Sequence, residues 1–110
     1  MPKSNPPPSP IYHHRVAACV NYQAYQFDLP ASLTPIAYEK LRTFISRFGE
    51  NLNPPTIAVL HLSHPLFFID FPAYGFPYFK VSFYPEVATA RVNHYLRLFE
   101  NQLHYLTVTG

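Results

Sequence analysis

Two histidines and an aspartate lie close together in the most apolar part of the chain. His61 and His64 are three residues apart, and Asp70 follows six residues later in an apolar run. A histidine beside a carboxylate is a common arrangement for general base chemistry. Strand alternation places residues three apart on opposite faces, so only a turn at Ser63 would bring both imidazoles to one site. A hydrolase using Asp70 with His61 or His64 is therefore one hypothesis.

Metal, cofactor and nucleophile patterns are weak. A zinc site would need further ligands from His94, His104 or Asp70, with no motif that predicts their convergence. Asp28 and Asp70 are the two strand aspartates that a Mg²⁺-dependent nuclease would use. The sequence has no G-x-S-x-G pattern and only three glycines, too few for a phosphate loop. We assign no catalytic residue, no metal ligand and no cofactor, and the balance favours a protein that is not an enzyme.

Aromatic residues around one lysine form the most informative chemical pattern. From Tyr78 to Tyr84, Phe79, Val81 and Phe83 alternate with more polar residues, so the polar set should share one face of a strand. Tyrosines beside a lysine can stack against bases or anchor a protein interface. The predicted binding residues are Tyr74, Phe76, Tyr78, Lys80, Ser82, Tyr84 and Gln23.

The elements that must position these residues are organised around residues 56–84. This segment is rich in β-branched and aromatic residues, which are typical of strands. It contains three strand-length runs at 57–62, 66–71 and 78–84, separated by 63–65 and by the turn-rich 72–77. Residues 11–29 form the first element, in which apolar and polar residues alternate from Val20 with one slip of phase at Ala24. This pattern predicts a long strand with a β-bulge, and a helix over residues 17–25 is the alternative.

Helical patterns flank the central segment. Residues 33–48 carry an apolar stripe, with Thr34 as N-cap, Pro35 in the first turn and Gly49 at the end. Pro85 and Glu86 open a second helix, and the alternating residues 104–109 predict a final strand. The resulting order indicates an α+β, ferredoxin-like (βαββαβ) antiparallel sheet with two helices on one face. On such a sheet Asn21, Gln23, Gln26 and Asp28 would join the open face.

Composition bounds the class of protein. Residues 1–10 are proline-rich and predict a disordered tail, and residues 11–110 predict a single α+β domain. Charged residues make up 13% of the chain, against about 25% in an average soluble domain. Cys19 has no partner for a disulfide, and no secretory signal or membrane-length apolar run is present. We therefore expect a cytoplasmic protein with no membrane contact.

Low charge and abundant tyrosine favour a small interaction or regulatory module that is a homo-oligomer or binds a protein partner. Its contact surface would be the aromatic sheet face and the 72–77 loop. The alternative is a single-stranded nucleic-acid (RNA or DNA) binding protein that uses the same face, helped by cations of the helices. A small metal-dependent hydrolase or nuclease is the third hypothesis.

Overall fold

The computed structural model describes residues 12–18 and 21–109. The predicted tail, residues 1–10, and Cys19 lie outside the described residues. Within them, six strands and two helices follow one another along the chain: β1 (His13–Val16), β2 (Gln23–Asp28), α1 (Pro35–Ser46), β3 (Glu50–Asn51), β4 (Leu60–Ser63), β5 (Phe67–Phe71), β6 (Tyr78–Phe83) and α2 (Thr89–Thr109).

The strands form one antiparallel sheet in the order β1-β2-β6-β5-β4-β3. The element order is ββαββββα, so the predicted ferredoxin-like βαββαβ fold is wrong, and the molecule is a sheet-dominant α+β fold. β3 to β6 form a meander of sequential neighbours, and β6 then pairs with β2 in the centre of the sheet.

The first error lies in the segment predicted as one long bulged strand. It contains two strands that pair as a hairpin, with His14 opposite Gln26 and Val16 opposite Ala24. Asn21 has a φ of 69°, a left-handed conformation that asparagine tolerates better than most residues and that suits a turn. The pairing of β2 with β6 is unbroken from Gln23 to Asp28, so the phase slip at Ala24 marks no bulge within β2.

The second error lies at the carboxyl end, where residues 104–109 are helical and continue α2 instead of forming a strand. The buried positions of α2 recur every three or four residues: Val92, Leu96, Phe99, Leu103 and Leu106. This helical period outweighs the local β-branched alternation, because a residue's propensity is weaker than the packing of a whole stripe. Val108, which belongs to the segment predicted as the final strand, is exposed.

The first predicted helix is present, though shorter than residues 33–48. The Thr34 hydroxyl accepts a hydrogen bond from the Ala37 N–H at 3.1 Å, and Pro35 lies in the first turn. Both features satisfy or avoid backbone donors that have no partner at a helix start.

In the central segment, β4 begins at Leu60, later than the predicted residue 57. Residues 57–59, predicted as the start of this strand, form a loop instead. The Ala58 carbonyl accepts a hydrogen bond from the Arg42 guanidinium at 2.6 Å, and the Val59 carbonyl accepts one from Asn53 Nδ2 at 2.9 Å. Ile57 and Val59 are exposed as a result. The two-residue strand β3 was not predicted.

Both helices pack on the same face of the sheet. Phe27, Phe67, Phe79 and Phe83 of the strands are fully buried there against residues of α1 and α2, including Phe99. The opposite face is called the open face below. In the described part of the chain, neither helix has the length and apolarity needed to cross a membrane.

Candidate functional site

A single row of polar residues crosses five strands of the open face. Strand register places His61, Asp70, Lys80, Gln26 and His14 directly beside one another from β4 to β1. Directly paired residues of antiparallel strands point to the same side of the sheet. These five residues are called the polar row.

Carboxylates organise both ends of the polar row. His61 Nδ1 lies 2.7 Å from Asp70 Oδ1 at one end. At the other end, Asp28 accepts from Gln26 Nε2 at 3.0 Å and lies 3.4 Å from His14 Nδ1. Both sets of contacts lie on a face that neither helix covers.

Lys80 stands between these two pairs. It is half-buried and directly opposite Asp70, yet its ammonium has no hydrogen-bond or ion-pair partner among residues 12–18 and 21–109. The neighbouring carboxylate of Asp70 is bonded to His61 instead. Within the described part of the chain, the centre of the open face therefore presents a cation that has no internal partner.

An aromatic cluster borders the polar row on one side. Tyr22, Phe68 and Tyr84 come from three different segments, and their ring centroids lie 5.7 to 6.2 Å apart. The tilted and edge-to-face arrangements are those that aromatic rings prefer. These three residues are called the Tyr22 cluster.

A groove of about 670 Å³ borders the polar row on the other side. The 72–77 loop forms its wall, Val59 and Tyr78 lie along it, and Asp70 and Lys80 line it from the polar row. Tyr74 and Phe76 at the tip of the loop are 54% and 48% exposed. This surface is called the loop groove.

Backbone and side-chain hydrogen bonds hold the wall of the loop groove in place. The buried Tyr38 hydroxyl donates to the Pro72 carbonyl at 2.6 Å, and the Leu29 N–H donates to the Pro77 carbonyl at 2.7 Å. Gly75 has a φ of 97° at the tip, in the left-handed region that glycine adopts without strain. The loop is thus anchored at both ends while it displays apolar side chains.

The predicted binding residues separate into three groups. Tyr74, Phe76, Tyr78 and Lys80 line the loop groove together. Tyr84 belongs to the Tyr22 cluster, and Ser82 is buried on the open face beneath it. Gln23 lies on the helix face, opposite Phe83, where its Nε2 donates to the Val87 carbonyl at 3.3 Å.

Several residues of the open face were not predicted to belong to it. Phe68 and Asp70 alternate with the buried Phe67, Ile69 and Phe71, so strict alternation through this run would have placed both on the open face. Tyr22 precedes β2 in a turn, and no sequence signal links it to Phe68 and Tyr84.

The residues considered for acid–base or metal chemistry do not all converge. His61 and Asp70 are in contact, but the His64 ring stacks on Phe67 at 4.1 Å and lies against Tyr95 of α2. His64 is therefore on the helix side of the sheet. The described residues include no group of three or more histidine, cysteine or acidic side chains that could hold a metal ion.

Partial burial against these aromatic rings lowers the pKa of His64 below its usual value of 6.5. Burial disfavours the charged imidazole, so the unfolded chain binds this proton more readily than the folded one. In the folded protein Nδ1 accepts a hydrogen bond from the Leu66 N–H at 3.0 Å. The free energy of unfolding should therefore decrease as the pH falls below 6.5.

Replacement of His64 by asparagine, which keeps a neutral acceptor, should reduce that decrease. Urea unfolding of both proteins at a pH of about 7.5 and about 5.5 measures it, since histidine titrates between these values. The other histidines are common to both proteins and serve as the internal control. An equal loss of stability in the two proteins would show that His64 does not contribute.

The cations are distributed unevenly between the two sides of the molecule. Lys40, Arg42, Arg91 and Arg97 belong to the helices, and Arg47 caps the end of α1. Both helices pack on the other side of the sheet. Arg15 lies on the helix-facing side of β1, 6.0 Å from the Tyr25 ring. Among the described residues Lys80 is thus the one lysine or arginine on the open face, alongside the carboxylates of Asp28 and Asp70.

Comparison with known proteins adds no family to these observations, because no protein-family model, no curated protein and no solved structure matches the chain.

Proposed function

We propose that this protein is a non-enzymatic binding module that forms a homodimer by pairing its open face with the same face of a second copy. The observation that carries the proposal is the uncovered face itself, where the exposed Tyr74 and Phe76 share the loop groove with Lys80, whose ammonium has no partner among the described residues. Aromatic residues are enriched at interface centres, whereas most charges are depleted there.

Charge complementarity favours a second copy as the partner. Lys80 and Asp70 are direct cross-strand neighbours near the middle of the polar row. In a two-fold symmetric interface, a contact from one residue to another is repeated in the reverse direction. A two-fold axis between these residues would place Lys80 of each copy against Asp70 of the other, giving two equivalent ion pairs.

The apolar part of the interface would come from the two borders of the polar row. Tyr74 and Phe76 of the loop groove lie on one side, and Tyr84 and Tyr22 of the Tyr22 cluster lie on the other. The polar row would then determine the orientation of the copies, because like charges placed opposite each other cost several kcal/mol.

Replacement of Lys80 by aspartate should raise the dimer dissociation constant about a hundredfold or more, since two ion pairs become repulsive at once. Size exclusion with light scattering over a dilution series measures this constant. Lys40→Asp is the matched control, because Lys40 is exposed on α1, away from the open face. A monomer for the unmodified protein at high concentration, or an equal effect of both substitutions, would contradict the proposal.

Single-stranded nucleic acid is the second candidate ligand of this face. The Tyr22 cluster supplies rings on which bases could stack. The charge balance is less favourable, because phosphate binding depends on clustered lysine and arginine and the described open face carries only Lys80. A high ratio of absorbance at 260 to 280 nm that a salt wash removes, in the same chromatography, would favour this candidate over the dimer.

A further inference from the structure

A second apolar surface lies on the opposite side of the molecule, between the two helices. A groove of about 900 Å³ runs between α1 and α2, lined by Pro35, Ile36 and Phe44 on one side and by Tyr105 and Leu106 on the other. Ile36 is 70% exposed and Tyr105 is 58% exposed. This surface, called the helix groove, shares no residue with the open face.

Exposed apolar residues continue from the helix groove over the top of α2. With 3.6 residues per turn, the residues of its last turns follow one another around the helix in the order His104, Val108, Tyr105, Gln102, Leu106. Val108 is 65% exposed and stands beside Tyr105 in this order. An apolar track therefore crosses α2 from the side of His104 to the helix groove.

The N-terminal segment enters the described structure at the other end of this track. The Tyr12 N–H donates to Glu100 Oε1 at 2.6 Å, and the Tyr12 ring lies 6.3 Å from that of His104. His13 Nδ1 is 2.6 Å from the second oxygen of Glu100. These contacts attach the beginning of β1 to the same side of α2 from which the track departs.

We propose that residues 6–11, with the sequence PPPSPI, cross α2 along Val108 and Tyr105 and bind in the helix groove against Ile36. An extended proline-rich segment advances about 3.1 Å per residue, so six residues span about 19 Å. A helix with its side chains is about 10–12 Å in diameter, so half of its circumference is about 16–19 Å, and the segment is long enough to pass over α2.

The chemistry of the segment matches the surface. Proline presents apolar rings and has no N–H that binding would leave without an acceptor. Aromatic and aliphatic grooves bind such segments because little conformational entropy is lost. The contact would cover the most exposed apolar residues of the helix side and leave the open face available for a second copy, and it does not depend on dimerisation.

Paramagnetic relaxation in the full-length chain tests the proposal. Cys19 is the only cysteine, so Cys19→Ser with Ser4→Cys allows one nitroxide to be attached near the N-terminus. The amide signals of Ile36 and Lys40 in α1 should lose most of their intensity, and those of Lys80 and Gln26 on the open face should not. Loss at neither position, or at the open face alone, would overturn the proposal.

Two further samples make the result specific. Tyr105→Ser should restore the Ile36 signal, whereas Ile57→Ser, which alters another exposed apolar residue that does not line the helix groove, should not. In a mixture of isotope-labelled protein without nitroxide and unlabelled protein with nitroxide, only a contact between two molecules can reduce the observed signals. Ile36 and Lys40 signals that keep their intensity in this mixture support the proposal. An equal loss in the mixture would overturn it by showing that the segment binds another molecule.

Discussion

Replacing Phe99 by alanine should lower the free energy of unfolding by about 3–5 kcal/mol, the usual cost of truncating a buried phenylalanine. The Phe99 side chain is fully buried in α2. Its ring meets Phe27 and Phe79 of the sheet edge-on, at 5.9 and 6.5 Å, and Phe48 after α1 at 5.0 Å. The ring thus contacts both the sheet and the segment after α1, and its truncation would leave a cavity between them.

Denaturation in guanidinium chloride measures this loss, and Phe76→Ala is the matched control. Phe76 is the same residue type at the exposed tip of the 72–77 loop, so its truncation should cost less than about 1 kcal/mol. If Phe99→Ala does not fold, Phe99→Leu should still lose more stability than Phe76→Leu. Equal losses at the two positions would contradict the assignment of Phe99 to the centre of the core.

Replacing Gly49 by alanine should destabilise the protein by at least about 1–3 kcal/mol, the cost of holding a side chain in a rarely populated backbone conformation. Gly49 has a φ of 155° where the chain leaves α1 and enters β3. A Cβ at this position would also collide with the Ser63 carbonyl of β4. Because that atom belongs to the backbone of a paired strand, it has little freedom to move.

Gly75→Ala separates these two contributions. Gly75 also has a positive φ, of 97°, but a Cβ there would meet no atom within 4 Å. Its replacement should therefore cost the conformational strain alone, and Gly49→Ala should cost more by the energy of the collision. Thermal or denaturant unfolding of the two variants gives the comparison, and a smaller loss for Gly49→Ala would contradict the close approach to β4.

The sequence predicted correctly those features that depend only on residues close together along the chain. Thr34 and Pro35 mark the start of α1 because capping involves only residues within one turn. The alternation of Phe79, Val81 and Phe83 correctly placed Tyr78 and Lys80 on the other side of β6. Tyr78 and Lys80 of the loop groove were placed in this way, whereas Asp70, which lines the same groove, was not.

Long-range pairing could not be read in this way. The ferredoxin-like prediction required residues 104–109 to be a strand, and their alternation allowed it, but Leu103 and Leu106 instead extend the buried stripe of α2. The polar row depends on the register of five strands, and sequence does not specify which strands are neighbours. Asp70 and Lys80 are ten residues apart along the chain and directly opposite each other in the sheet.

The two apolar surfaces have different consequences for the protein. The helix groove lies across α2 from the point at which the N-terminal segment enters the described structure, whereas the open face carries a charge pattern that suits its own copy. If the open face pairs with itself through Lys80 and Asp70, two variants with opposite charge changes should bind each other even though neither binds itself.

Mixing two variants that are monomeric separately tests this claim most directly. Lys80→Asp and Asp70→Lys should each be a monomer by light scattering, because each sets like charges against each other across the two-fold axis. In an equimolar mixture both pairs become attractive, so we predict a heterodimer at concentrations where neither variant associates alone. Circular dichroism of each variant controls for folding. A mixture of folded variants that stays monomeric, while the unmodified protein dimerises, would contradict the pairing.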